Sequence, residues 1–214
     1  MDEGTIIKAV KEALEKAPER KFLESIELSV NLKDVDLTNP KNRITEEVSL
    51  PMGRGKDVKI GVFATAEMAV KAKGAADIVI MAEEIPKMAE EKKDAKKTVN
   101  DIDFFIAEAP LMAVVGKNLG VILGPRGKMP RPIPPGADPT GMIDGLRRTV
   151  KIRSKDRRTF HVPVGTREMP PEDIAANINA VLNRIQGKLE RGLLNIHSAY
   201  VKTTMGPAVK LELR

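Results

Sequence analysis

The alternation of hydrophobic and polar residues along the 214-residue chain changes its rhythm twice. Near the amino terminus Ile6, Val10, Ala13 and Leu14 recur at helical spacing, which predicts a helix from about Thr5 to Ala17, ended by Pro18. Ile26, Leu28, Val30 and Leu32 then alternate with Ser25, Glu27, Ser29 and Asn31, the signature of a strand buried on one face and wet on the other. A turn-rich connection from Asp36 to Asn42 leads to a second strand carrying Val48 and Leu50 and stopped by Pro51. The Met52-Gly-Arg-Gly-Lys56 segment reads as a hinge.

Beyond it the apolar runs become dense. Val58, Ile60, Val62 and Phe63 predict a strand, followed by a short helix from Ala66 to Gly74, a strand at Asp77 to Ile80, a charged Glu/Lys helix, a strand at Phe104 to Ala107 and another short helix. Strands buried on both faces and alternating with helices imply a parallel sheet. From Gly124 to Pro139 the density of Gly and Pro predicts loop. Half-wet strands return at Thr149: Val150 and Ile152 alternate with Lys151 and Arg153. After a charged turn at Ser154 to Arg158, Phe160, Val162 and Val164 alternate again, and the pair suggests a hairpin. An amphipathic helix is expected over Pro171 to Gln186, with Ile174, Ile178, Val181, Leu182 and Ile185 on one face and Gly187 as its stop. Closing strands are expected near Ser198 to Thr204 and Ala208 to Leu213. The two ends share a style that the middle lacks, so the expected architecture is an α/β domain inserted between the halves of an antiparallel α+β domain. Two chain crossings would link the domains, with hinge motion as the default.

Composition narrows the chemistry. A hydrophobic content of 42% suffices for a sizeable core, and the absence of cysteine excludes disulfides, thiolate zinc sites and cysteine nucleophiles. The longest apolar stretches fall short of the roughly 18 residues of a membrane span. The Met-Asp-Glu-Gly start offers neither a basic nor an apolar leader, so a soluble, cytoplasmic protein without a membrane partner is expected. The 36 Lys and Arg outnumber the 30 Asp and Glu, and the excess has an address. Between Lys117 and Arg158 eleven basic residues face only Asp138, Asp144 and Asp156, a balance of +8, whereas the remainder of the chain sums to −2. Such a segment attracts polyanions, although clustered solvated charges are the plainer reading. Five Phe, one Tyr and no Trp disfavour an aromatic stacking platform, so any RNA or DNA would be read through shape, phosphate and sugar.

Catalytic signatures fail on spacing. A Walker loop ending at Gly127-Lys128 would need glycine at Ile122 and a hydroxyl residue at Met129, and a dinucleotide fingerprint begun at Gly53 and Gly55 would need glycine at Val58. His161 and His197 are the only histidines; with no cysteine or helical partner they supply no metal site, and the phase of His161 places it on a surface. Asp101 and Asp103 could hold a cation or simply be turn chemistry. No catalytic residue, cofactor or metal is expected. In Thr203-Thr-Met-Gly-Pro207, Gly206 permits close approach of backbone to a ligand and the threonines can hydrogen-bond a ribose hydroxyl, while a plain hairpin turn explains the run equally well.

Four runs occur together in order: Val48-Ser-Leu-Pro51, Leu123-Gly-Pro-Arg-Gly-Lys-Met-Pro130, His161-Val-Pro-Val-Gly165 and Thr203-Thr-Met-Gly-Pro207. In this the chain resembles, over essentially its whole length, the large-subunit ribosomal protein L-one family. Its Pro-Arg-Pro-Ile-Pro-Pro stretch and short amino terminus are similar to the archaeal branch. The resemblance implies a discontinuous α+β domain one, residues 1–53 and 149–214, and an inserted Rossmann-like three-layer α/β domain two, residues 54–148. It implies a ribosomal protein, not an enzyme, that binds the mobile rRNA stalk beside the exit site, helps deacylated tRNA leave, and represses translation of its own mRNA, acting as a monomer outside the ribosome. It assigns the principal rRNA contacts to Lys21, Phe22, Ser25, Glu27, Thr204, Met205 and Gly206, with Ser198 and Tyr200 adjacent. Arg126, Lys128, Lys155, Arg157 and Arg158 are the expected secondary basic contacts. Phe22 could pack on RNA or anchor the core. Glu27 suits a ribose hydroxyl or base amino group, a contact that selects RNA over DNA. Asn31 stands where bacterial members carry a basic residue, and Glu46 and Glu47 where the neighbourhood is more basic. The competing class is a Rossmann-like nucleotide-binding enzyme whose basic segment holds phosphates.

Overall fold

Helix α1 (Glu3–Glu15) forms where Ile6, Ala9, Val10 and Ala13 fall on one buried face, and it ends before Pro18, which cannot donate the next backbone hydrogen bond. It opens the computed structural model, which describes residues 3–212. Strand β1 (Ser25–Leu32) buries Ile26, Leu28, Val30 and Leu32 on one face, and β2 (Thr45–Ser49) follows a turn in which the Asn39 side chain accepts from the Lys41 amide.

The middle of the chain contributes β3 (Ile60–Ala64), α2 (Ala66–Ala72), β4 (Ile78–Met81), α3 (Glu84–Glu90), α4 (Lys92–Asp101), β5 (Phe104–Glu108), α5 (Met112–Arg126), β6 (Arg131–Ile133) and α6 (Thr140–Arg147). The last part supplies β7 (Thr149–Arg153), β8 (Thr159–Thr166), α7 (Pro171–Lys188), β9 (Ile196–Thr203) and β10 (Val209–Leu211). Leu213, expected in the closing strand, lies outside the described residues. By contacts the chain forms two compact units: residues up to Lys56 together with those from Arg148, and Asp57–Arg147.

In the first unit β10, β9, β1 and β8 form an antiparallel sheet in that order, with α1 packed on α7, β9 and β10. Leu28, Val30, Val162, Val201 and Ile178 are fully buried in one core. A ribbon of β2 and β7 closes that core through Val48, Leu50, Val150 and Ile152. In the second unit β4, β3, β5 and β6 form a wholly parallel sheet with a hydrophobic cluster on each face, which explains why its strands read as apolar in both phases.

Several expectations are corrected. The predicted hairpin does not form: β7 pairs with β2 and β8 with β1. Alternation reports which face of a strand is buried and is silent about which neighbour it bonds. The Gly124 to Pro139 stretch is only partly loop. Helix α5 runs fifteen residues through Pro125 and stops at Gly127, which takes the left-handed conformation that caps helices, while β6 adds Pro132 to the sheet as an edge strand. The charged helix is two, broken at Glu91, α6 forms from a stretch assigned no element, and α7 passes through Gly187. Apart from these corrections, the Met52-Gly53 end of the segment read as a hinge is tied into the first unit. The buried Asn177 side chain accepts from Met52 N at 3.1 Å and donates to Gly53 O and Val164 O at 2.8 Å each.

Candidate functional site

The residues expected to meet RNA converge where β1 begins. The Thr204 amide donates to Ser25 O at 3.0 Å, the Ser25 amide donates to Thr204 Oγ1 at 3.1 Å, and that hydroxyl donates back to Ser25 O at 3.2 Å. Thr204 is therefore a bolt between the β9–β10 turn and β1, and its hydroxyl keeps one lone pair for an outside donor. Beneath it lies Glu24, 1% exposed, a residue the sequence reading passed over. Its Oε1 accepts from Met205 N at 3.0 Å and Thr203 Oγ1 at 3.2 Å, and its Oε2 from Arg167 Nη1 at 3.1 Å. A Glu in an otherwise mixed polar run carries no mark of burial, so only the partners could have revealed it.

Around this bolt the exposed groups are apolar and basic. Phe22 is 53% exposed and Met205 61%, which settles that Phe22 does not anchor the core. Lys21 is exposed beside it, and Lys21, Phe22, Glu24 and Arg167 line one groove. Gly206 is needed for space: an added Cβ would run into Thr203 Oγ1 and stand 3.0 Å from Ala17 Cβ.

The strand register extends the surface. Opposite the core, Glu27 stands between Pro163 and Lys202, Ser29 between His161 and Tyr200, and Asn31 between Thr159 and Ser198. Hydrogen bonds run across these rows: Ser29 Oγ lies 2.6 Å from His161 Nδ1, Asn31 Nδ2 donates to Ser198 Oγ at 2.9 Å, and Thr159 Oγ1 donates to Asn31 Oδ1 at 2.7 Å. Lys202 Nζ donates to Thr204 O and forms no ion pair with Glu27 among the described residues. The result is a polar sheet face carrying Glu27, Ser198 and Tyr200 in one array, with His161 exposed as its phase predicts.

The basic contacts divide. Lys155, Arg157 and Arg158 are exposed in the β7–β8 turn, where Leu32 N donates to Arg158 O. That is the opposite end of β1 from Met205, about 23 Å away at the usual rise per residue. Arg126 and Lys128 belong to the second unit, and both are engaged there. Lys128 Nζ donates to Val99 O, Asn100 O and Ile102 O at 2.8, 3.0 and 2.5 Å, and Arg126 reaches Asn100 Oδ1 and Ile122 O. Burial lowers the Lys128 pKa, with Asp103 and Asp101 working against that shift. Glu46 and Glu47 are also occupied, Glu46 by Arg184 and Lys188 and Glu47 by Lys151.

A nucleotide would be sought in the parallel sheet at its switch point, between β3 and β5 beyond their carboxyl ends. There the buried carboxylate of Glu108 accepts from Thr65 N at 2.9 Å, so an acid already holds an amide where a phosphate would bind. No cluster of three or more potential metal ligands exists among the described residues.

Residues 12–207 match the model of the ribosomal protein L1p/L10e family. The chain is 61% identical over 212 residues to the large ribosomal subunit protein uL1 of Thermoplasma acidophilum, covering 99% of this chain and 98% of that one. It is 56% identical to the protein of the same name from Picrophilus torridus, covering 96% and 95%, and 50% identical to that of Archaeoglobus fulgidus, covering 99% of each.

Proposed function

The chain belongs to the ribosomal protein L1p/L10e family, and from that premise we propose that it is a structural constituent of the large ribosomal subunit that binds the mobile rRNA stalk near the exit site. It acts there as a binding protein and not as an enzyme, in the cytoplasm with the ribosome. Its discontinuous domain, residues 1–53 and 149–214, holds the rRNA, and the inserted domain, residues 54–148, completes the family's plan. In the same reading it assists release of deacylated tRNA and represses translation of its own mRNA, whose leader would present a stalk-like fold to the same surface.

The observation that carries the RNA assignment is the hydrogen-bonded juncture of Ser25 with Thr204, flanked by exposed Phe22 and Met205 and by basic Lys21. A rigid turn that offers a flat apolar edge beside hydroxyls and a carboxylate suits the sugar edge of a structured RNA better than a bare phosphate backbone. Footprinting of the purified protein on total ribosomal RNA tests this. Protection of one stalk of the large-subunit rRNA, lost or weakened by about 1–3 kcal/mol in Met205→Asp, is the expected result. Protection spread over unrelated helices, or unchanged by that substitution, overturns it.

A further inference from the structure

A buried carboxylate is unfavourable unless each oxygen is satisfied, and Glu24 satisfies both in different directions. Oε1 faces the β9–β10 turn through Met205 N and Thr203 Oγ1, and Oε2 faces Arg167. Arg167 also donates where α1 ends, with Nη1 on Pro18 O at 3.0 Å and Nη2 on Ala17 O at 3.2 Å, and its amide donates to Glu24 O at 3.0 Å. The Glu19–Leu23 loop is therefore held at both of its ends by one guanidinium, which is linked through one carboxylate to the turn opposite. Because the Met205 amide points inward to Glu24, the Met205 side chain stays outside, at 61% exposure.

We infer that Glu24 and Arg167 are a positioning pair that holds the Lys21–Phe22 loop and the Thr204–Gly206 turn at one fixed separation, so that the recognition surface is assembled before its ligand arrives. This rests on the reading of that surface as the rRNA site. Neither residue needs to touch RNA. The pair removes in advance the ordering cost that two independent loops would meet on binding. An apolar pair could fill the same volume, but it would not fix which backbone amide faces in.

The test uses the full chain with Glu24→Gln, Arg167→Lys as a second variant, and Val201→Ala as a control in the same sheet, whose side chain is fully buried and away from the surface. Binding to a stalk fragment of large-subunit rRNA, thermal unfolding and hydrogen exchange of the Met205 amide are measured on each. Expected for Glu24→Gln is a Kd raised about tenfold or more, faster Met205 exchange, and an unchanged salt slope because no phosphate contact is lost. Val201→Ala should lower the unfolding temperature and leave Kd within about twofold, since core packing is not part of recognition. The inference is overturned if Glu24→Gln loses stability like the control with Kd unchanged, or if Met205 stays protected. Should Glu24→Gln not fold, Arg167→Lys carries the same criteria. If the unaltered protein does not bind the fragment at all, the rRNA reading fails, while Met205 exchange still decides whether the pair holds the turn.

Discussion

At Gly206 the absence of a side chain lets the β9–β10 turn lie against the end of α1. Gly206→Ala is expected to push that turn outward, strain the Met205 amide bond to Glu24 and cost about 1–3 kcal/mol of stability, readable by denaturant titration. Lys128 teaches the opposite lesson about a charge. Within a run that reads as phosphate-seeking, its ammonium instead gathers three carbonyls at the end of α4. Lys128→Met should therefore lower stability by about 1–3 kcal/mol while leaving the salt dependence of RNA binding as it was. Thr204 stands between these cases. Its hydroxyl accepts from the Ser25 amide and donates to Ser25 O, which fixes the turn against β1 and leaves one lone pair for an outside donor.

Among the elements, β2 and α7 are joined by a carboxylate with two cationic partners. The Arg184 guanidinium, with Lys188, holds Glu46 below the usual carboxylate range. A pKa lower in the folded than in the unfolded chain contributes stability that is present above the unfolded value, about 4.3, and lost as pH falls through the folded one. Compared at pH 6, the protein should thus exceed Glu46→Gln by about 0.5–1 kcal/mol, a modest figure because Arg184 is largely exposed and salt screens the pair. As the pH is lowered from 6 the gap between the two thermal unfolding curves should narrow. A gap that does not narrow would mean that Glu46 acts through packing. The same element pairing shows why the hairpin expectation failed. Strands β7 and β8 pair instead with β2 and β1, a hundred residues or more away in sequence, and local alternation carries no information about that choice.

For the whole molecule, the concentrated positive charge is shared between the two units. Part of it lies in the second unit with Arg126 and Lys128, and part in the β7–β8 turn at the far end of β1 from Met205. If the turn arginines touch phosphate, Arg157→Ala and Arg158→Ala should each reduce the slope of log affinity against log salt by about 0.9. An unchanged slope removes them from the interface. Periodicity alone determined the succession of half-wet strands, dense strands and half-wet strands, and the polar face of β1 that carries Glu27, because burial on one side of a strand writes itself into every second residue. The four motif runs carried the family resemblance, and all four lie within the match over residues 12–207. The tertiary structure decided what depends on partners distant in sequence: that Glu24 is buried and bonded to a turn 181 residues away, that Lys128 is occupied, that a segment rich in glycine is pinned by Asn177, and that Pro125 lies within a helix. Each of these is set by a hydrogen bond or a packing contact made only once remote segments are brought together, and no local pattern of residue types encodes it.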